Sequence, residues 1–221
     1  MRLAAQGKPY RRNRVADSMR RQGLRSKVRR KFVVTTDTKH DLKASPNLLN
    51  RAFDAGPPNE VWVSDITYLS SRSGWLYLVV FIDLFSRRVV GWCVSTSLAH
   101  ETVLTALSRA VWQRRPQPGL MIHSDRGIQY CCDGFRKAVD EHQFVQSMSK
   151  KADCWDNAVS ESFFKTLKTE WLYHVDLIDL DHAERELFEY IEMFYNNQRL
   201  HAYLDYVSPA LFERLSLQKA A

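Results

Sequence analysis

The sequence predicts an α/β protein: a mixed sheet of three antiparallel strands plus two parallel ones, flanked by helices. Two observations carry this. Three β-branched and aromatic segments, EVWVSDITYL (60–69), GWLYLVVFIDLFS (74–86) and RRVVGWCVS (87–95), follow one another across short turn-like loops, as in an antiparallel meander. Helix then follows strand twice, which adds parallel strands to the same sheet. A chain of 221 residues that is 45% hydrophobic and 12% aromatic suffices for one sizeable core and a small appendage.

The elements follow in order. Residues 8–31 place Val15, Met19 and Leu24 near helical spacing with Gly23 as a stop, predicting a short basic helix and a second basic element. Residues 32–59 end in AGPPNE, and this Gly-Pro-Pro-Asn punctuation reads as a linker rather than a packed element. After the meander, residues 99–114 carry Val103, Leu104, Leu107, Ala110 and Val111 on one helical face. GLMIHSD then reads as a buried strand, 133–142 as a helix and FVQSM as another strand. Helices over 156–173 and 180–197 close the pattern, the second with Leu187, Ile191 and Phe194 in one stripe. Phe164, Leu167 and Trp171 are expected to hold the first of these helices on the sheet, and Trp62, Trp75 and Trp92 to lie in the core.

Charge divides the chain. Residues 1–51 carry 15 Lys and Arg against 3 Asp and Glu, a net of +12, whereas residues 52–221 carry 17 against 22, a net of −5. So basic a leader attracts polyanions, nucleic acid foremost, because each phosphate contact releases condensed counterions; a solvated tail is the plainer alternative. The longest apolar run, WLYLVVFI (75–82), falls far short of the roughly 20 residues that span a bilayer, and a soluble, cytoplasmic protein is expected. Cys93, Cys131, Cys132 and Cys154 lack C-x-x-C spacing and read as buried free thiols.

Three acids stand where apolar or small residues are easier to accommodate. Asp65 lies inside the first strand, on the face of Val61, Val63 and Thr67 by period two. Asp125 ends GLMIHSD at a strand terminus, where α/β sheets gather ligands. Glu161 lies near the start of a helix that Asp156 or Asn157 can cap. Each has an ordinary alternative: Asp65 paired with a buried Arg or Lys, Asp125 capping its loop, Glu161 contacting Lys165 and Lys168 at i+4 and i+7. Together they form a hard-oxygen set suited to Mg²⁺ or Mn²⁺, and two such ions about 4 Å apart serve the attacking and leaving oxygens of a displacement at phosphorus. No G-x-S-x-G elbow, P-loop or dinucleotide fingerprint competes.

The words WVSDITYL, HSDRGIQY and SKKADCWDNAVSESFFKTLKTE, with 59 residues between Asp65 and Asp125 and 35 between Asp125 and Glu161, resemble the catalytic core of bacterial insertion-sequence transposases. The likeness is to the second-frame product of the large family whose core is similar to retroviral integrases, and it runs from about Asn47 to Glu213, including YNNQRLHAYLDYVSPALFE. It implies a ribonuclease-H-like fold and an Asp65, Asp125, Glu161 triad holding two Mg²⁺ or Mn²⁺ ions. It also implies DNA cleavage at the element's ends followed by strand transfer into target DNA. Residues 1–46 then form a basic segment with a partial helix-turn-helix-like region and linker, 47–213 the catalytic core, and 214–221 a tail.

By the same resemblance Lys168, two helical turns and about 10 Å beyond Glu161 on the same face, is a DNA contact. Lys165, Lys150, Lys151 and Asn157 are further candidates, with the helix cap favoured for Asn157. His123 reads as a hydrogen-bonded strand-end histidine. Asp205 stands where the family more often has glycine. The expected partners are element-end and target DNA, further copies of the chain on DNA, and an upstream-frame DNA-binding product. A structure-selective nuclease and an inactive DNA-binding relic are the competing possibilities.

Overall fold

A computed structural model describes residues 12–24, 44–54, 56–150 and 154–220. The chain divides into two compact units, Met1–Phe32 and Val33–Ala221. In the first, helix α1 (Arg12–Arg21) ends at Gly23, whose φ of 67° only glycine adopts without strain. The Leu24 amide returns to the Met19 carbonyl at 2.9 Å and the Gly23 amide to that of Arg20 at 3.1 Å, the paired bonds of a Schellman stop. The second expected basic element lies outside the described residues.

The second unit is built on strands β1 (Val61–Ser71), β2 (Gly74–Asp83), β3 (Val89–Ser95), β4 (Met121–Ser124) and β5 (Val145–Met148), in spatial order β3-β2-β1-β4-β5. β1, β2 and β3 pair antiparallel; β4 and β5 join β1 in parallel. The mixed sheet is thus the one expected from the meander and the two strand–helix alternations.

Helices cover both faces. α2 (His100–Arg114), the short α3 (Ile128–Cys131) and α4 (Asp133–Glu141) bury Trp62, Val79, Phe81 and Ile122 with Val103, Leu107, Phe135 and Val139. On the other face, α5 (Ala158–Glu170), α6 (Leu180–Phe188) and the wider π-helical turns Glu189–Tyr195 cover Val63, Leu69, Leu78, Val80 and Ile82. Period-two alternation of β1 assigns Val63, Asp65 and Thr67 to the α5 side. Gly91 allows α2 close to β3, since a Cβ there would stand 2.5 Å from the Ala106 carbonyl oxygen.

The edge strand β3 is closed by side chains. Asn196 accepts from the Val89 amide and donates to the Val89 carbonyl, both at 3.0 Å, copying a neighbouring strand with one amide group. Arg109 donates to the Trp92 carbonyl at 3.1 Å. Asn196→Ala leaves both buried backbone groups of Val89 unpaired, and a loss of about 1–3 kcal/mol is expected in urea unfolding.

Several expectations need correction. Trp62 and Trp92 are buried, but Trp75 is 62% exposed at the start of β2, where it edges onto Tyr68. Residues 44–54 are packed rather than linker: Leu49 is buried, Ser45 Oγ donates to Gln146 Oε1 at 2.7 Å, and the Leu48 amide donates to Ser147 Oγ at 2.9 Å. The helix expected over 180–197 loosens into π-helical turns at Glu189. Residues 214–220 continue helix α7 (Pro209–Ala220), pinned where Glu213 accepts from Ser86 Oγ, Arg88 and Arg114. Of the thiols, Cys93 and Cys131 are buried and Cys132 half-buried. Asp205 and Tyr206 both have positive φ, 53° and 60°, a backbone conformation that glycine adopts more easily than other residues.

Candidate active site

The site begins with strand register. β1 and β4 run parallel with Ser64 opposite Ser124, so Asp65, within β1, and Asp125, just past the end of β4, stand on neighbouring strands. Beneath them, Ser64 Oγ shares a 2.8 Å hydrogen bond with the hydroxyl of Tyr130, a wholly buried residue on α3. This bond ties the turn after Asp125 back to β1. Asp65 Oδ1 accepts from the Ile66 amide at 2.8 Å and Asp125 Oδ1 from the Gly127 amide at 2.9 Å. Asp125 therefore does cap its loop.

α5 supplies the third acid. Ser160, Phe163, Phe164 and Leu167 form its buried stripe, with Phe163 edge-on to Tyr195 at a centroid distance of 4.8 Å. Glu161 and Lys168, seven residues apart, both lie along one margin of that stripe. Lys168 Nζ donates to Thr67 Oγ1 at 2.6 Å, fastening this margin to β1 two residues beyond Asp65. Neither Lys165 nor Lys168 forms an ion pair with Glu161 among the described residues, so the ordinary surface pairing is not the arrangement here. Thr67 was legible in principle, sharing the Asp65 face by period two.

The electrostatics are those of crowded like charge. Burial, then the adjacent Asp125 charge, lifts the Asp65 carboxyl well above its usual value against the Ile66 amide and Lys168; the Glu161 charge adds to the rise. Partial burial lifts Glu161. Burial lowers the Lys168 ammonium, and the Asp65 charge partly offsets this. Burial raises the Tyr130 phenol, with Asp65 and Asp125 adding to it. A hard divalent cation would relieve this crowding, and oxygen donors from two neighbouring strands and a helix suit one. Among the described residues, however, no group of three or more His, Cys, Asp and Glu side chains is close enough to hold a metal ion. The Asp125 charge weighs more on Asp65 than the Glu161 charge does, and Glu161 is exposed in the first turn of α5.

The remaining candidates are dispersed. Asn157 is buried at the start of α5 but makes no side-chain cap bond, and its Oδ1 has no protein partner. Asp156 does not cap α5 either: it accepts from Asn47, Arg51 and the Lys150 amide. The Lys150 and Lys165 side chains are exposed, and Lys151 lies outside the described residues. His123 is buried and bonded through Nδ1 to Ser147 Oγ at 2.9 Å, and burial lowers its pKa to about 4, in keeping with a structural histidine.

A mixed five-stranded sheet between two helical layers, in the order β3-β2-β1-β4-β5, is the ribonuclease-H-like fold. Integrase-core family models match residues 56–154 and 161–217. The chain is 42% identical over 215 residues to Transposase InsF for insertion sequence IS3A of Escherichia coli (strain K12), covering 97% of this chain and 75% of that protein. It is also 42% identical over 219 residues to the insertion element IS600 uncharacterized 31 kDa protein of Shigella sonnei, covering 99% and 80%.

Solved structures share the fold. The HTLV-2 integrase catalytic core in complex with magnesium superposes with a TM-score of 0.55 at 16% identity, over 71% of this chain and 97% of that one. The BIV integrase catalytic core does so at 0.54 and 14%, over 73% and 98%. The chain belongs to the insertion-sequence transposase family with an integrase core, and it is a DNA transposase. No helix among the described residues is long and apolar enough to cross a membrane.

Proposed function

We propose that Asp65, Asp125 and Glu161 are the catalytic carboxylates of a metal-dependent reaction that cuts DNA at the element's ends and joins the freed 3′ ends to target DNA. The observation that carries this is the Ser64–Ser124 register, which sets two acids side by side facing the layer that bears the third. Asp65 and Asp125 would hold Mg²⁺ or Mn²⁺, with Glu161 joining them from α5. Bound there, the ions would lower the pKa of the attacking hydroxyl and stabilise charge on the leaving oxygen. In the first step a water oxygen bonds to phosphorus as the bond to the 3′ oxygen breaks, leaving a 3′-hydroxyl and a 5′-phosphate. In the second, that 3′-hydroxyl attacks a target phosphate, and the target's own 3′ oxygen leaves. The carboxylates orient both displacements, so no covalent protein–DNA link is needed.

Lys168, on the Glu161 side of α5, is proposed to contact the phosphate beside the cut, with Lys165, Lys150, Lys151 and Asn157 as further contacts. Lys168→Ala is expected to reduce strand transfer about 10–100-fold and to make the slope of log affinity against log salt shallower by about 0.9, read from binding isotherms at several salt concentrations. An unchanged slope would remove the phosphate contact and leave Lys168 as a support for Thr67 and Asp65.

The transposase is proposed to act as a homo-oligomer on nucleoid DNA in the cytoplasm, with the basic leader adding sequence-independent affinity and an upstream-frame product aiding recognition of the ends. Precleaved element-end DNA mixed with target DNA and Mg²⁺ tests the activity: joined products are expected. Hydrolysis without joining would mark a structure-selective nuclease instead.

A further inference from the structure

We infer that Asp156 is a positioning residue for this reaction: by clasping Asn47, Arg51 and the Lys150 amide it fixes where α5 begins, and so where Glu161 stands relative to Asp65 and Asp125. The inference rests on Glu161 being the third catalytic acid.

Asp156 is 2% exposed and occupied on both oxygens. Oδ2 accepts from Asn47 Nδ2 at 2.8 Å and from the Lys150 amide at 2.9 Å; Oδ1 accepts from Arg51 Nε at 2.9 Å. With its lone pairs directed to these donors, this acid is a clasp rather than a further ion ligand. It lies in the 3-10 turn Cys154–Asn157 that leads into α5, five residues ahead of Glu161.

Two features make the clasp consequential. Asn157, at the N-cap position of α5, provides no side-chain bond, so the usual fastening of a helix start is missing. The segment holding Asp156 is itself fastened to β5, where Leu48 and Leu49 amides meet Ser147 Oγ and the Met148 amide meets the Pro46 carbonyl. β5 lies beside β4, whose end carries Asp125. A line of polar contacts thus runs from the Asp125 strand through residues 45–51 to the Glu161 helix. Because Glu161 is not gathered with the aspartates in this structure, a small change in the start of α5 alters how far it must travel.

The test uses the full chain. Hydrogen–deuterium exchange of the metal-free protein is expected to rise about tenfold or more at α5 amides 159–164 in Asp156→Ala, with β2 amides unchanged. Arg51→Gln, which removes the guanidinium bonded to Asp156 Oδ1 and leaves the Asn47 and Lys150 bonds, should produce a smaller rise at the same amides, and the double variant should exceed Asp156→Ala little. In strand transfer, the Mg²⁺ concentration for half-maximal rate should rise about tenfold or more while DNA affinity holds. Unchanged α5 exchange in both variants would overturn the inference. So would a uniform rise across the sheet in Arg51→Gln, the variant that carries the test if Asp156→Ala does not fold. Glu161→Gln separates the two claims: retained activity there overturns the catalytic assignment on which the inference rests, whatever the exchange data show.

Discussion

Asp65→Asn, Asp125→Asn and Glu161→Gln are each expected to lower DNA cleavage and strand transfer by at least about 10³-fold, some 4 kcal/mol of transition-state stabilisation. The first two acids are proposed to work as a pair because parallel register brings them together on adjacent strands, and the third would come from the helix layered on the same face. Groups that act as a unit fail as a unit, so double variants should be scarcely worse than single ones. Folding survives because the substitutions are isosteric: an asparagine oxygen can still accept from the Ile66 or Gly127 amide. Nonspecific DNA binding is expected to survive, since the +12 leader proposed to carry it is far along the chain from these acids. Labelled element-end DNA scores both reactions, with gel shifts and circular dichroism as controls. Strand transfer retained by any purified single variant would sink that residue's assignment.

Asp65→Asn is also expected to stabilise the metal-free protein while destroying its activity. Burial and the neighbouring Asp125 raise the Asp65 carboxyl in the folded state, so the fold holds this proton more tightly than the unfolded chain does. Stability contributed by the protonated group is therefore full below the ordinary value of 3.8 and falls as pH rises through the folded value. At neutral pH the wild-type protein bears that cost and the asparagine variant does not. Its melting temperature should be higher at pH 7, by about 2–4 °C for each kcal/mol relieved, with the gap closing below about pH 4. Added Mg²⁺ should reverse the order: saturation at 100 times the dissociation constant stabilises the wild type by about 2.7 kcal/mol, and the variant much less. Scanning calorimetry at two pH values, with and without Mg²⁺, reads all four states. A variant that melts below the wild type at pH 7 without metal would contradict the idea that function here is held at a cost in stability.

The architecture was legible because hydrophobic periodicity and short loops dictate it, and Asp65 stood out because a charge inside an apolar strand needs a reason. The closeness of the aspartates was not legible, since it depends on a parallel register made by residues 60 positions apart. Local signals misled where tertiary contacts prevailed. Asn157 has the chemistry of a cap yet makes none, and its neighbour Asp156 is drawn to Arg51 and Asn47, over a hundred residues away. Trp75 has a core residue's composition but sits at a strand end where the sheet faces solvent. Residues 44–54 have a linker's composition and yet use Ser45, Leu48 and Leu49 to grip β5, a role that only the partner strand reveals. The pairing of Asn196 with Val89 appears only once β3 is known to be an edge.

The central claim, that acids from two strands and a helix converge on one metal site, is tested most directly by anomalous diffraction from crystals of the transposase bound to element-end DNA and Mn²⁺. The account predicts anomalous density at Asp65 and Asp125, with Glu161 joining them at the same site. A peak held by other carboxylates, or one at Asp65 and Asp125 with Glu161 still turned to solvent beside bound DNA, would contradict it.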